Sequence, residues 1–213
     1  MIRFDRSHQL LAIGVAILAG FVDAIGFVES GGFFVSFMTG NSTRLAVGVA
    51  EWRQAAVFAG SIIAVFVTGV VAGSLVAARV RAMRTPTVLS CVAILLAAAA
   101  TLRWFDADWP AILCLAFAMG AVNAAIEGRD GTVVGVTYMT GTLVQMGQKI
   151  ANRLRGEGDG RWLPHFGLWA ALVGGAIAGA RTIFWSAPLA YGLAVLLAAA
   201  LALRGLWLSR RAA

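Results

Sequence analysis

A phrase that mixes polar and small apolar residues occurs twice in this chain. Its copies are Gly20–Ala24 followed by Met38–Gly40, and Gly120–Ala124 followed by Met139–Gly141. Asp23 of the first copy corresponds to Asn123 of the second, 100 positions later. Internal repeats of this kind mark membrane proteins built from two related halves. We therefore predict two three-helix repeats, residues 1–108 and 109–213, within one integral membrane domain.

The composition leaves the lipid bilayer as the solvent for this chain. Hydrophobic residues make up 60% of the sequence and charged residues 13%, whereas a soluble domain carries about 25% charged residues. The net charge of +7 comes from arginines in short loops, where such residues set topology and meet anionic headgroups. We expect the bilayer, and no nucleic acid, as the partner of these charges.

Six segments have the length of a membrane-spanning helix, about 20 apolar residues. They are roughly residues 9–28, 56–78, 86–104, 110–127, 164–184 and 187–208. Two further apolar segments, 32–50 and 132–150, are interrupted by Thr-Gly pairs. Six spans put every basic cluster on the cytoplasmic side, whereas eight spans expose at least one outside. The charges therefore predict six spans with both termini in the cytoplasm.

Three spans in each half make the second half enter the membrane from the opposite side. The predicted fold class is an all-α membrane protein with six transmembrane helices as an inverted 3+3 repeat. Segments 32–50 and 132–150 are then two broken or re-entrant segments that dip in from opposite faces. Non-helical backbone at that depth must be buried in protein or line a watery cavity. We expect the helix breaks at the Thr-Gly pairs.

The repeated motifs resemble the YoaK family of bacterial membrane proteins, also called DUF1275. The resemblance rests on Gly20–Ala24 with Phe37–Asn41, and on Gly120–Ala124 with Thr140–Thr142. It covers essentially the whole chain and implies a six-helix protein of the inner membrane, without naming a substrate. Family members commonly carry a glutamine-asparagine pair in the second motif, where this chain has Val122-Asn123.

Asp23 is the sharpest candidate for chemistry, because it lies within the first predicted span. Ionisable residues inside a membrane are costly and often functional. The alternative is that Asp23 only holds the broken segment by hydrogen bonds. The neutral counterpart Asn123 could fill such a geometric role equally well.

The two Thr-Gly elements are the next candidates. Half-helices that begin there would point free N–H groups and positive dipole ends into the protein. Arg44 and Gln145 occupy equivalent positions in the two elements; Arg44 could pair with Asp23 or attract an anion. The predicted substrate-binding set is Asp23, Thr39, Gly40, Asn41, Arg44, Asn123, Thr140, Gly141, Thr142 and Gln145.

Two further glycine pairs are spaced for helix packing. Gly69 and Gly73, like Gly175 and Gly179, are separated by four positions and share one helix face. Small residues at this spacing let helices approach closely, within the chain or between two copies in a homodimer.

The motifs of enzymes, metal sites and nucleotide cofactors are missing from the sequence. We therefore expect no enzyme, no metal and no cofactor. The leading hypothesis is a small-solute transporter or channel, for a solute or ion of unknown charge. The alternative is a non-transporting membrane scaffold or assembly protein. Asp23 favours a cation or proton, whereas Arg44 and the half-helix ends favour an anion or a polar neutral solute.

Overall fold

A computed structural model describes residues 6–126, 138–157 and 160–212, and it is helical in all three ranges. The helices are α1 Arg6–Glu29, α2 Met38–Ala50, α3 Ala55–Arg79, α4 Arg84–Trp104, α5 Asp108–Val122, α6 Met139–Leu154, α7 Leu163–Trp185 and α8 Ala187–Ala212. A short 3₁₀ turn, Arg81–Met83, joins α3 to α4. No strand occurs in the described ranges, so the all-α expectation holds there.

Five helices of the described chain are long and apolar enough to cross a membrane. They contain 21 to 25 residues each, with a mean hydropathy between 1.4 and 2.3. Their positions match five of the six predicted spans: α1, α3, α4, α7 and α8. The protein is therefore an all-α membrane protein.

The sixth predicted span, 110–127, is shorter in the structure than the sequence suggested. α5 has 15 residues and ends at Val122, where the next three N–H groups each bond a carbonyl three positions back. Such bonds tighten the end of a helix. The Arg84 guanidinium then donates from Nε to the Ala124 carbonyl at 2.9 Å. Residues 127–137, which include Glu127, Arg129 and Asp130, lie outside the described ranges.

The contacts between helices in one half have counterparts in the other. α1 packs against α7, and α5 packs against α3; α4 packs against both α5 and α8, and α8 also packs against α1. α2 contacts α3, and α6 contacts α7. If α1 to α4 are matched in order with α5 to α8, the α4–α8 pair maps onto itself and each of the other pairs maps onto another pair of the set. No Cα atom of α2 lies within 8 Å of one in α6.

Two side-chain contacts set the directions of the helices. Arg103, near the end of α4, bonds Glu29, the last residue of α1. Arg84, the first residue of α4, bonds Ala124, just after α5. α1 and α4 therefore end together at one end of the bundle, the Arg103 end. α5 ends at the other, the Arg84 end, so α1 and α5 run in opposite directions.

Two links in the chain begin and end at the same end of the bundle. One joins α1 to α3, and the other joins α5 to α7. Phe58 of α3 stacks on Trp109 of α5, with ring centroids 4.4 Å apart. α3 thus begins at the Arg103 end, where α1 ends, so α2 lies in a segment that leaves and re-enters there. α7 runs parallel to α1, because Gly175 meets Ile17 and Gly179 meets Phe21. The segment that contains α6 therefore leaves and re-enters at the Arg84 end.

The two helices on which the repeated phrase begins, α1 and α5, form the centre of the bundle. Val15, Leu18 and Val22 of α1 and Leu115 and Met119 of α5 are fully buried. Large apolar side chains on α3, α7 and α8 are exposed instead. Lipid covers such faces in a membrane protein, so Asp23 on α1 and Asn123 at the end of α5 are enclosed by the apolar outer helices. The candidates on α2 and α6 are different: Thr39, Arg44, Thr140 and Gln145 are exposed.

Candidate functional site

Asp23 fastens a loop to α1. Its Oδ1 atom accepts hydrogen bonds from the backbone N–H groups of Val35 at 2.8 Å and Ser36 at 2.7 Å. These residues belong to the link between α1 and α2, which we call the 31–37 loop. Two amide donors on one carboxylate oxygen stabilise a charged group away from water. The carboxylate of Asp23 thus satisfies backbone groups of the segment that enters the bundle.

Asn41 of α2 also holds this loop. Its Nδ2 donates to the Phe34 carbonyl at 2.6 Å, and the Phe34 N–H donates to its Oδ1 at 3.0 Å. The Asn41 side chain is fully buried. An amide can be donor and acceptor at once, so Asn41 pairs with the Phe34 backbone as a neighbouring strand would.

Two glycines turn the chain into this loop. Gly31 and Gly32 have φ angles of +69° and +111°, a region that side chains with a Cβ rarely adopt. Ser30 completes the turn: its Oγ accepts from the Phe33 N–H at 2.8 Å and donates to the Phe33 carbonyl at 2.9 Å. The break before α2 is therefore made by residues 30–37.

The Thr-Gly pairs lie inside the helices, which corrects the expected position of the breaks. α2 begins at Met38 and α6 at Met139, so each pair stands in the first turn. A Cβ on Gly40 would lie 2.8 Å from the Phe34 ring and 2.9 Å from the Phe37 ring. Gly40 thus lets two aromatic rings pack on the first turn of α2. Thr39 is exposed.

Arg44 is separate from Asp23. Its guanidinium lies over the Phe33 ring, 5.0 Å from the centroid. No carboxylate in the described ranges lies within salt-bridge distance of it. The ion pair between Arg44 and Asp23, one of the two alternatives from the sequence, is therefore not formed in this structure.

The candidates of the second half make local hydrogen bonds within the described ranges. Asn123 is buried, and its Nδ2 donates to the Met119 carbonyl at 2.9 Å. The Thr142 hydroxyl donates to the Tyr138 carbonyl at 3.2 Å. Thr140, Gly141 and Gln145 are exposed. The counterpart of the 31–37 loop falls in residues 127–137, outside the described ranges.

Comparison with known proteins agrees with the motifs. The family described as "Protein of unknown function (DUF1275)" matches residues 11–204. The chain belongs to the DUF1275 family. The resemblance drawn from the repeated motifs is thereby confirmed.

Two relatives of this DUF1275 chain are described as transmembrane proteins. It is 36% identical over 220 residues to UPF0700 transmembrane protein RA0705 of Rhizobium meliloti (strain 1021), covering 99% of this chain and 94% of the relative. It is 28% identical over 156 residues to UPF0700 transmembrane protein YoaK of Bacillus subtilis (strain 168), covering 69% of this chain and 68% of the relative. No solved structure matches the chain.

The paired glycines of the DUF1275 chain stand where helices cross. A Cβ on Gly69 or Gly73 would overlap the backbone of α5, and a Cβ on Gly175 or Gly179 would overlap the backbone of α1. Gly20 of α1 likewise faces the backbone of α7. These crossings lie within one chain.

Sequence reasoning missed a charged cluster at the Arg103 end. Arg103 Nε donates to the Glu29 carboxylate at 2.6 Å, and Nη1 lies 3.3 Å from Asp108 and 3.5 Å from Asp106. The cluster links α1, α4 and α5. The acidic turn at 106–108, three residues after Arg103, was the available signal, whereas Glu29 is 74 positions from Arg103. No group of three or more His, Cys, Asp or Glu side chains in the described ranges is placed to hold a metal.

Proposed function

We propose that this protein is a small-solute transporter or channel of the bacterial inner membrane. Two three-helix repeats of opposite orientation would build it, with both termini in the cytoplasm and a polar site between α2 and α6. We propose no enzymatic activity for it. Transport would then be passive or driven by a gradient.

The observation that carries this proposal is the opposed direction of α1 and α5. These helices hold the two copies of the repeated phrase, yet Glu29 meets Arg103 while Ala124 meets Arg84. The crossings agree as well: Gly20 faces α7 just as Gly120 faces α3. Inverted repeats related in this way recur in transporters, whose sites lie near the middle of the membrane.

The two half-helices support the location of the site. α2 has 13 residues and is about 20 Å long, too short to span a bilayer. Its first turn follows the loop that Asp23 ties to α1 and that Asn41 ties to α2. Irregular backbone at this depth occurs where it is buried in protein or lines a cavity.

Charges support the orientation. Arg79, Arg81, Arg204 and Arg210 lie at the Arg84 end, near the ends of α3 and α8. At the Arg103 end, Arg103 pairs with Glu29 and Asp108, and Arg53 pairs with Glu51. Cytoplasmic loops carry the excess of basic residues, so the Arg84 end would face the cytoplasm.

Solute flux in proteoliposomes tests the proposal. The native chain would be compared with Thr39→Val and Asp23→Asn over a panel of small ions, acids and amines. Gly174→Ala is a suitable control, because a Cβ there meets no atom within 4 Å. The proposal expects flux of at least one solute above empty liposomes, reduced by the changes in α1 and α2 and retained in the control. Absence of flux across the panel would contradict it.

The second candidate is a non-transporting membrane scaffold. The hydrogen bonds of the polar residues favour it, because Asp23 and Asn41 both satisfy backbone groups of one loop. Polar groups with this role need no solute. A scaffold predicts that their replacement lowers stability while no solute of the panel crosses the membrane.

A further inference from the structure

Among the described residues, the Arg44 guanidinium has no ion-pair partner, and it lies beside the 31–37 loop. Arg44 lies over the Phe33 ring, and a Cβ on Gly32 would stand 2.9 Å from its Nη2 atom. Gly32 is therefore the residue that lets the guanidinium approach the loop backbone. The ring and the glycine together fix the position of a charged group that is otherwise exposed.

The nearby carboxylates are engaged elsewhere. Asp23 Oδ1 accepts two backbone hydrogen bonds from the loop, and Glu51 pairs with Arg53 at 2.8 Å. Arg103 has its own carboxylates at the same end of the bundle. Among the described residues, Arg44 thus differs from Arg53 and Arg103 in carrying a charge that no carboxylate balances.

Arg44 is one of the residues that line an open-sided cavity of about 250 Å³ between α2 and the start of α3. Arg53, Glu51 and Thr43 also line this cavity. Two guanidinium groups and one carboxylate leave one net positive charge on its walls. A planar guanidinium matches the geometry of a carboxylate or phosphate group with two parallel hydrogen bonds.

We propose that this cavity binds an oxyanion, a carboxylate or phosphate group, through Arg44 with support from Arg53. The inference goes beyond the proposed function, because this cavity lies between α2 and α3 and not between α2 and α6. It rests on that function only for a transport step. It also ranks the two possibilities that the sequence left equal. Asp23 is bound by backbone donors, whereas Arg44 is available to a ligand.

Anion binding by the full chain tests the site directly. Isothermal titration with inorganic phosphate and with sodium acetate would be run in a neutral detergent. We expect Arg44→Gln to weaken binding about tenfold or more, because a charge-assisted bidentate contact is lost, and Arg44→Lys to weaken it less. The matched control is Arg181→Gln, which removes an exposed arginine of α7 far along the chain from the cavity.

Thermal unfolding of each variant shows that the folded protein is being compared. If folded native protein binds neither anion, or if folded Arg44→Gln binds as tightly as the native chain, the proposal is wrong. An equal loss in Arg181→Gln would also overturn it, since the effect would then be one of total charge.

A lipid headgroup and a soluble anion share this chemistry, and nanodiscs separate them. Phosphate titrations would be repeated in phosphatidylcholine discs with and without phosphatidylglycerol. Competition by phosphatidylglycerol that depends on Arg44 supports a lipid phosphate, and phosphate binding unchanged by it supports a soluble anion. Anion binding without any solute flux would support the anion site and contradict the proposed transport function. Solute flux that is independent of Arg44, with no anion bound, would support the transport function and contradict the anion site.

Discussion

The Asp23 carboxylate accepts a 2.8 Å hydrogen bond from the Val35 amide, and this contact ties the loop before α2 to α1. The same oxygen also accepts from Ser36. One acidic side chain therefore organises the entry of the first half-helix. A structural role and a role in proton coupling make different demands on this residue, and substitutions can separate them.

We predict that Asp23→Leu destabilises the protein by about 2 kcal/mol or more, because two buried N–H groups lose their acceptor. Asp23→Asn keeps an oxygen acceptor and should cost about 1 kcal/mol or less. Chemical unfolding in detergent measures both. Equal stability of Asp23→Leu and the native chain would show that the loop does not depend on the carboxylate. If Asp23→Asn abolishes flux without loss of stability, the charge itself is required.

Adjacent glycines of α7 should respond oppositely to the same change. A Cβ on Gly175 would overlap the Ile17 carbonyl oxygen, whereas a Cβ on Gly174 meets nothing within 4 Å. Gly175→Ala should destabilise by about 1–3 kcal/mol through overpacking. Gly174→Ala should leave stability unchanged or raise it by up to about 1 kcal/mol through helix propensity. Thermal unfolding in one detergent compares the pair.

The corresponding change in the first half provides an independent check. A Cβ on Gly69 would overlap the Phe117 carbonyl oxygen in the same manner. Gly69→Ala should therefore match Gly175→Ala in sign and approximate size. A large effect at one position and none at the other would contradict the equivalence of the two crossings.

Arg103→Gln should destabilise the bundle more than the loss of a surface ion pair does. The Glu29 side chain is only 13% exposed, and removing its partner leaves a poorly hydrated charge. We expect a loss of about 1–3 kcal/mol, partly recovered in the double variant with Glu29→Gln. Arg53→Gln is the control, because the Arg53–Glu51 pair is largely exposed and should change stability by less than about 1 kcal/mol. Additive losses in the double variant would exclude direct coupling.

The orientation of the halves predicts which residues can be labelled from each side of the membrane. In a background without Cys91 and Cys114, single cysteines would replace Trp52, which is 95% exposed, and Arg155. An impermeant thiol reagent added outside intact cells should label position 52 and leave position 155 unlabelled until the membrane is opened. Labelling of both positions from one side would rule out the inverted arrangement.

The sequence alone determined the features that depend on local composition and spacing. Apolar segments of sufficient length predicted α1, α3, α4, α7 and α8, because a helix satisfies its own backbone in lipid. The family followed from the residues of the repeated phrase. Glycines four positions apart marked a close-packing face, since that spacing keeps them on one side of a helix.

The tertiary structure decided where the polar groups find their partners. Asp23 bonds residues 12 and 13 positions away, and Arg103 bonds Glu29 across 74 positions. Such pairings depend on how loops fold back and how helices cross, which no local pattern encodes. For the same reason, the break before α2 lies at the Gly31-Gly32 turn and not at the predicted Thr-Gly pair. In the part of the chain that the structure describes, no carboxylate pairs with Arg44, and this tertiary arrangement makes it the candidate for an anion.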